Sequence, residues 1–311
     1  MRLFLFLLLF LSGLAYANAN ESLPSFCQPY ISSNGDHEQD STGRDSIPYG
    51  EGLLWQISAQ NGNHAHIFGT MHSQDRLVTS VPPPVRLALV KSREFVMEVE
   101  LDQHANEVFN QAIYFSDDTQ LKNLVNDEIY SWLENNIGNY GIQKDDLSRL
   151  KPWAAFTLVG RPRPVHGPTQ DIVLMQLAES ANIKITALET MSELVSALDG
   201  ISMEDQIIIL NDTVCNHGEI IRQTRDLVYM YINRDVAGIV LQNEQPHYDE
   251  AVFDRYMQQL VYDRNMRMVQ KIETIMQQNN AFIAVGASHL PGNRGILKML
   301  EQRGYSITRV F

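Results

Sequence analysis

The chain predicts an α/β protein: a central mixed sheet flanked by helices, with a large helical insertion. Three observations carry that reading. Short apolar runs of strand character alternate with helical stretches along most of the sequence. Hairpin chemistry at Asn61-Gly62-Asn63 separates the first two runs, so that pair of strands is antiparallel. Two apolar runs then end in the same word, Gly-x-x-His. The first copy is His66-Ile67-Phe68-Gly69-Thr70-Met71-His72; the second is Phe282-Ile283-Ala284-Val285-Gly286-Ala287-Ser288-His289, followed directly by Leu290-Pro291-Gly292. In open α/β sheets ligands bind beyond the strand ends, so both imidazoles are expected to face one crevice.

The elements follow in order. Arg2, an unbroken apolar run at residues 3–11 and the small-residue sites Ala15-Tyr16-Ala17 and Ala17-Asn18-Ala19 predict a secretory signal over residues 1–19. The run is too short to span a bilayer comfortably. Cleavage therefore leaves no stable membrane span, and the mature chain is expected to be exported, to the periplasm or beyond. Residues 20–52 are polar and show no sustained period, which reads as an N-terminal tail. The domain proper covers residues 53–311. Strands are expected at 53–57, 65–68 and 94–101, with a helix at 85–90 that has proline in its first turn. Residues 103–159 read as mostly helical, interrupted near Gly138 and Gly141. The prolines at 162, 164 and 168 exclude helix interior from 161–168, leaving a loop at the mouth of a cleft. A helix at 171–181, a strand at 183–188 and helices over 192–278 with breaks near Gly200 and Pro246 come next. The chain closes with a strand at 281–285, a helix at 295–302 and a strand at 305–311.

Composition narrows the function. With 311 residues and 44% hydrophobic content the chain can fill a sizeable core, and its net charge of −13 argues against a nucleic-acid partner. Cys27 and Cys215 are the only cysteines. In an oxidising compartment they either pair, tethering the tail to the middle of the domain, or stay as two thiols. No Walker loop, Gly-x-Gly-x-x-Gly, Gly-x-Ser-x-Gly or His-Glu-x-x-His is present, which removes the commonest nucleotide enzymes, serine hydrolases and zincins.

The residues that could carry chemistry form three groups. His72 and His289 lead as metal ligands, because imidazole is the commonest protein ligand for transition metals. Glu98 lies in an otherwise apolar strand, where a carboxylate is costly unless paired or metal-bound, and shares its face with Glu100; Glu189 directly follows a buried strand. A solvated strand-end carboxylate is the plainer role open to both. Arg264 and Asn265 lie on a helix whose stripe Val261, Met268, Ile272 and Ile275 takes in Asn265 and is flanked by Arg264. That arginine could neutralise a developing oxyanion.

With these words in place, the chain resembles the TraB/GumN family, whose animal relatives are the Tiki proteins. The likeness rests on Leu54-Trp55-Gln56-Ile57, the two Gly-x-x-His words, Val96-Met97-Glu98-Val99-Glu100-Leu101, Leu150-Lys151-Pro152-Trp153, Leu188-Glu189-Thr190 and Arg264-Asn265. It implies a fold related to erythromycin esterase and the haem-binding ChaN proteins. It also implies a metal-dependent hydrolytic site, with His72, His289 and Glu98 as ligands and Glu98, Glu189, Arg264 and Asn265 as catalytic groups. Asn293-Arg294 replaces the acidic residue often found after the second Pro-Gly, and the 161–168 loop departs from the pattern. The leading expectation is a peptidase of the cell envelope that uses a divalent metal ion (Mn, Co or Zn) on a peptide or protein substrate. A metal-independent, esterase-like hydrolase with His72 as general base is one alternative, and a non-catalytic peptide- or haem-binding protein is the other.

Overall fold

Asn61 starts the structure's organising turn: its side chain accepts the Asn63 amide at 3.0 Å, and Gly62 takes a φ of 88° that other residues resist. Strand β1 (Leu54–Ser58) thereby folds back on β2 (His64–Thr70), pairing antiparallel with Leu54 opposite Phe68. The computed structural model describes residues 26–27, 41–244, 248–278 and 280–311. The expected signal segment, most of the polar tail and the break at Pro246 lie outside them.

Four further strands complete a mixed, six-stranded sheet in the order β4-β3-β5-β2-β1-β6. They are β3 (Glu94–Val99), β4 (Lys184–Glu189), β5 (Ala281–Gly286) and β6 (Ser306–Arg309). Strands β4, β3, β5 and β2 run parallel. The first and last of the chain's Gly-x-x-His words therefore end neighbouring strands, with Gly69 beside Val285 and Thr70 beside Gly286. β3 and β5 are buried at every residue, as strands covered on both faces must be.

One face of the sheet, with Phe68, Phe95 and Phe282, packs beneath the helices Pro83–Val90, Gln170–Ser180 and His217–Ile232. The other, with Ile67, Val96 and Ile283, is covered by the helices Asp263–Gln278 and Ile296–Gln302 through Met268, Ile272 and Leu297. A third apolar cluster belongs to the helical insertion, centred on Phe109, Leu133, Trp153 and Leu210.

The boundaries differ from expectation where caps intervene. The strand at 94–101 stops at Val99, because Asp102 caps the next helix by accepting the Ala105 amide. The last strand contracts to Ser306–Arg309, after which the amides of Val310 and Phe311 both turn onto the Leu54 carbonyl. The region 103–159 divides into the helices Gln103–Ala112, Asp127–Asn136, Lys144–Leu147 and Pro152–Val159; Asn126 caps the second and Pro152 opens the last. The long helix before β5 contains a π turn at Gln258–Tyr262. Cys27 and Cys215 form a disulfide within the insertion's core. Among the described residues, no helix is long and apolar enough to cross a membrane.

Candidate active site

The carboxyl ends of the four parallel strands deliver the candidate residues to one place: His72 after β2, His289 after β5, Glu98 near the end of β3 and Glu189 at the end of β4. The strand-end glycines are required by close approach. A Cβ on Gly69 would meet Ala287 at 3.1 Å, and one on Gly286 would press on the Glu98 carboxylate at 3.3 Å and the His289 ring at 3.4 Å. Without that Cβ, Glu98 Oε2 accepts the Gly286 amide at 2.6 Å.

Each imidazole is anchored at one nitrogen. His289 Nδ1 lies 2.6 Å from Asn265 Oδ1, and the Asn265 amide is itself fixed by donating to the Arg294 carbonyl at 2.9 Å. That arrangement makes Nδ1 the donor and leaves Nε2 as a lone pair, 3.6 Å from Glu98 Oε1 and 3.5 Å from Arg264 Nη1. His72 Nδ1 lies 2.6 Å from Asp171 Oδ2, while Thr70 donates to Asp171 Oδ1 at 2.9 Å. His72 Nε2 is buried and, among the described residues, has no hydrogen-bond partner. Burial alone would lower the His72 pKa, but the Asp171 carboxylate outweighs it and carries the ring up to about 9.

Arg264 lies beneath, with 0% of its side chain exposed. Its Nε donates to Glu189 Oε2 at 2.8 Å, its Nη2 to Glu98 Oε1 at 2.7 Å, and its Nη1 to the Leu260 carbonyl at 3.1 Å. Every guanidinium nitrogen is thus engaged. Burial would raise the Glu98 carboxyl, but the His289 ring and the Arg264 guanidinium hold it well below the usual carboxylate range. Glu189 Oε1 is also approached by Arg267, at 3.5 Å. Glu100, which shares the Glu98 face by parity, lies past the strand end and accepts the Met191 amide at 3.2 Å instead.

His289, Glu98, Glu189, Arg264 and Asn265 are all buried, whereas the His72 side chain keeps 20% of its surface exposed, so the opening lies on the His72 side. The 161–168 loop borders it. Gln74, two residues beyond His72, donates to the Gly167 carbonyl at 2.6 Å and accepts the Val165 amide at 3.0 Å.

All six residues singled out in the sequence therefore gather at one sheet edge. The sequence reading missed Asp171, and beside it Gln170, which accepts the Met71 amide at 3.0 Å and the Tyr231 hydroxyl at 2.7 Å. An acid in the first turn of a helix is too common to single out.

Among the described residues, no three His, Cys, Asp or Glu side chains are assembled as a metal-binding group. Each imidazole nonetheless has one nitrogen oriented by a carboxylate or amide, as a ligating histidine does, and Nε2 of His72 has no partner among the described residues while that of His289 faces Arg264. The unpartnered His72 Nε2 is the orphan that a cation would satisfy.

The family model for the TraB/PrgY/gumN family matches residues 53–309. The chain belongs to the TraB/PrgY/gumN family. Its relatives include Metalloprotease TIKI2 of Danio rerio, 29% identical over 165 residues, covering 45% of this chain and 32% of the relative. Metalloprotease TIKI1 of Xenopus tropicalis is 22% identical over 310 residues, covering 82% and 61%. The Metalloprotease TIKI homolog of Amphimedon queenslandica is 23% identical over 316 residues, covering 83% and 61%. The chain thus spans between a third and three-fifths of the length of these relatives. No solved structure matches it.

Proposed function

We propose that this chain is a metal-dependent hydrolase of peptide or protein substrates that works outside the cytoplasm. The observation that carries the reading is the pair of anchored imidazoles at the ends of adjacent parallel strands beside a buried, ionised Glu98, with His72 Nε2 unpartnered among the described residues and His289 Nε2 facing Arg264 and Glu98. The naming of its relatives as metalloproteases supports it. His72, His289 and Glu98 would hold the divalent cation. Mixed imidazole and carboxylate ligands suit Mn, Co or Zn. When bound, the cation would supply Lewis acidity at neutral pH.

The protein's own groups have separable tasks. Asp171 and Asn265 fix the tautomer and direction of the two imidazoles. Arg264 bridges Glu98 and Glu189 in a buried place and helps hold the Glu98 carboxyl ionised. Glu98, beside His289, would serve either as the third ligand or as the base that polarises water. The hydrophobic lead at residues 1–19 and the Cys27–Cys215 disulfide both support an oxidising, exported location. We also infer a fold of the erythromycin esterase/ChaN type, from the family resemblance alone.

The test is a peptide-library cleavage screen by mass spectrometry on metal-supplemented and EDTA-treated protein, with His72→Ala and His289→Ala alongside. Both variants should lose hydrolysis while keeping the far-UV circular dichroism of the parent. Full activity in either would rule this site out. The Asp171–His72 pair also has the form of an oriented general base, one that Asp171 keeps protonated up to about pH 9, so the metal-independent hydrolase is a second reading that would work on the alkaline side. Activity that survives exhaustive EDTA but not His72→Ala would select it.

A further inference from the structure

In the helix Pro83–Val90, Val85, Ala88 and Leu89 face the core beneath Phe68, Phe95 and Phe282, so the opposite side would ordinarily be polar. Instead Leu87 and Val90 are 53% and 42% exposed. The short helix Arg76–Thr79 packs against Gln170–Ser180 and His217–Ile232 in the same layer. It adds Leu77 at 64% exposure, and His217–Ile232 adds Tyr229 at 67%. Apolar residues exposed singly need no explanation; four on the helices of one layer do.

The same stretch carries unbalanced charge. Residues 76–93 contain Arg76, Arg86, Lys91 and Arg93 and no acid, so they contribute +4 to a chain whose total is −13. All four cations are exposed, and among the described residues none forms an ion pair. Glu94, the next acid along the chain, is buried and engaged by Lys184. The other helices of the layer carry Glu179, Glu219 and Asp226 beside Arg222 and Arg225, and Arg222 pairs with Glu219.

Cations and apolar side chains are interleaved on this surface. Arg86 stands one turn before Val90, and Leu87 one turn before Lys91, so two neighbouring rows each hold one of either kind. An acidic protein would be met by the cations alone. A bilayer with anionic headgroups uses both: the cations stay at headgroup level while the apolar side chains enter the boundary below, covered by the arginine and lysine stems.

We propose that this layer, through Leu77, Arg86, Leu87, Val90, Lys91 and Arg93, docks the protein on an anionic phospholipid bilayer. The acidic remainder of the surface is repelled by the same membrane, which turns this layer towards it. Arg76 stands four residues from His72, at most about 14 Å along the chain, so docking carries the margin of the candidate site's opening to the membrane surface.

Co-sedimentation with sucrose-loaded vesicles tests it, using purified protein matched by intact mass at the N-terminus. Binding is read without turnover, so the outcome is independent of the hydrolase reading. The parent should pellet with vesicles of mixed phosphatidylcholine and phosphatidylglycerol, less so as salt rises, and stay in solution with phosphatidylcholine alone. Each surface cation is worth roughly fivefold in partitioning, so Arg86→Gln with Lys91→Gln should weaken binding about 30-fold, and Arg93→Gln, in the turn before β3, about fivefold by itself. Leu87→Ser with Val90→Ser should weaken it by at least about 10-fold. These side chains are exposed, so every variant should keep the parent's melting temperature. A parent indifferent to phosphatidylglycerol, or variants that bind as the parent does, overturns the proposal. Loss in the glutamine variants with the serine pair at parental affinity also overturns it, in favour of an acidic protein partner held by charge alone.

Discussion

Replacing Arg264 with glutamine should destabilise the protein more than almost any other single change. The side chain is fully buried, and its two carboxylate partners expose only 6% and 1% of their side chains. With charge centres about 4 Å apart and an effective dielectric near 20, each attraction is worth roughly 4 kcal/mol before desolvation. Removing the cation relieves its own desolvation cost but strands two buried negative charges, so a net loss of about 3–5 kcal/mol follows. Urea unfolding, monitored by tryptophan fluorescence and circular dichroism with EDTA in every sample, measures it. With a slope of about 3 kcal/mol/M for a chain of this size, the midpoint should drop by roughly 1–2 M. The decisive arm is the double variant. Adding Glu189→Gln to Arg264→Gln removes one stranded charge and should recover about 1–2 kcal/mol, although Glu189→Gln alone destabilises. If Arg264→Gln stays within about 1 kcal/mol of the parent, or if the second change makes it worse, the ion-pair account of this pocket is wrong.

Other expectations are read in the same way. Burial, and secondarily Arg163, lowers the His217 pKa to about 4, with its Nε2 held 3.1 Å from the Tyr140 hydroxyl. The unfolded state therefore binds more protons below its ordinary value of 6.5, and the stability difference between the parent and His217→Gln should decline from pH 6.5 to 4. The decline should be about 1–3 kcal/mol after allowance for the ring's partial exposure, measured by urea melts across that range. Serine at Cys27 or Cys215 opens a closure of 188 residues and should cost about 2–5 kcal/mol, read as a lower melting temperature under non-reducing conditions. Asp171→Ala removes the acceptor that orients His72 and should weaken manganese or cobalt binding by about 10–100-fold in isothermal titration. An unchanged affinity would mean that His72 needs no such support.

Much of this fold is legible in the sequence because the strands differ in what they bury. The run 281–285 is apolar without alternation, the mark of a strand covered on both faces and flanked by parallel neighbours, and β5 occupies the middle of the sheet. The hairpin at Asn61-Gly62 is fixed by local turn chemistry. Helix boundaries within 103–159 are less legible, because a cap such as Asn126 acts through one side-chain bond while helical composition runs on past it. Strand order is not local at all. β5, late in the chain, inserts between β2 and β3, and only the assembled sheet shows that His72 and His289 are neighbours.

The site divides along the same physical line. His72, His289 and Glu98 stand out because each breaks a pattern: an imidazole after a strand-end glycine, or a carboxylate inside an apolar strand. Arg264 is harder, because a regular helical phase carried back from Met268 and Ile272 places it beside the buried stripe, whereas the structure buries it completely. Asp171 is invisible for another reason: its partner is 99 positions away, and in its own helix it is an ordinary first-turn acid. What periodicity conceals here is therefore of one kind. Residues that hold a reactive group in place act through tertiary contacts, and their own local sequence already accounts for them in a simpler way.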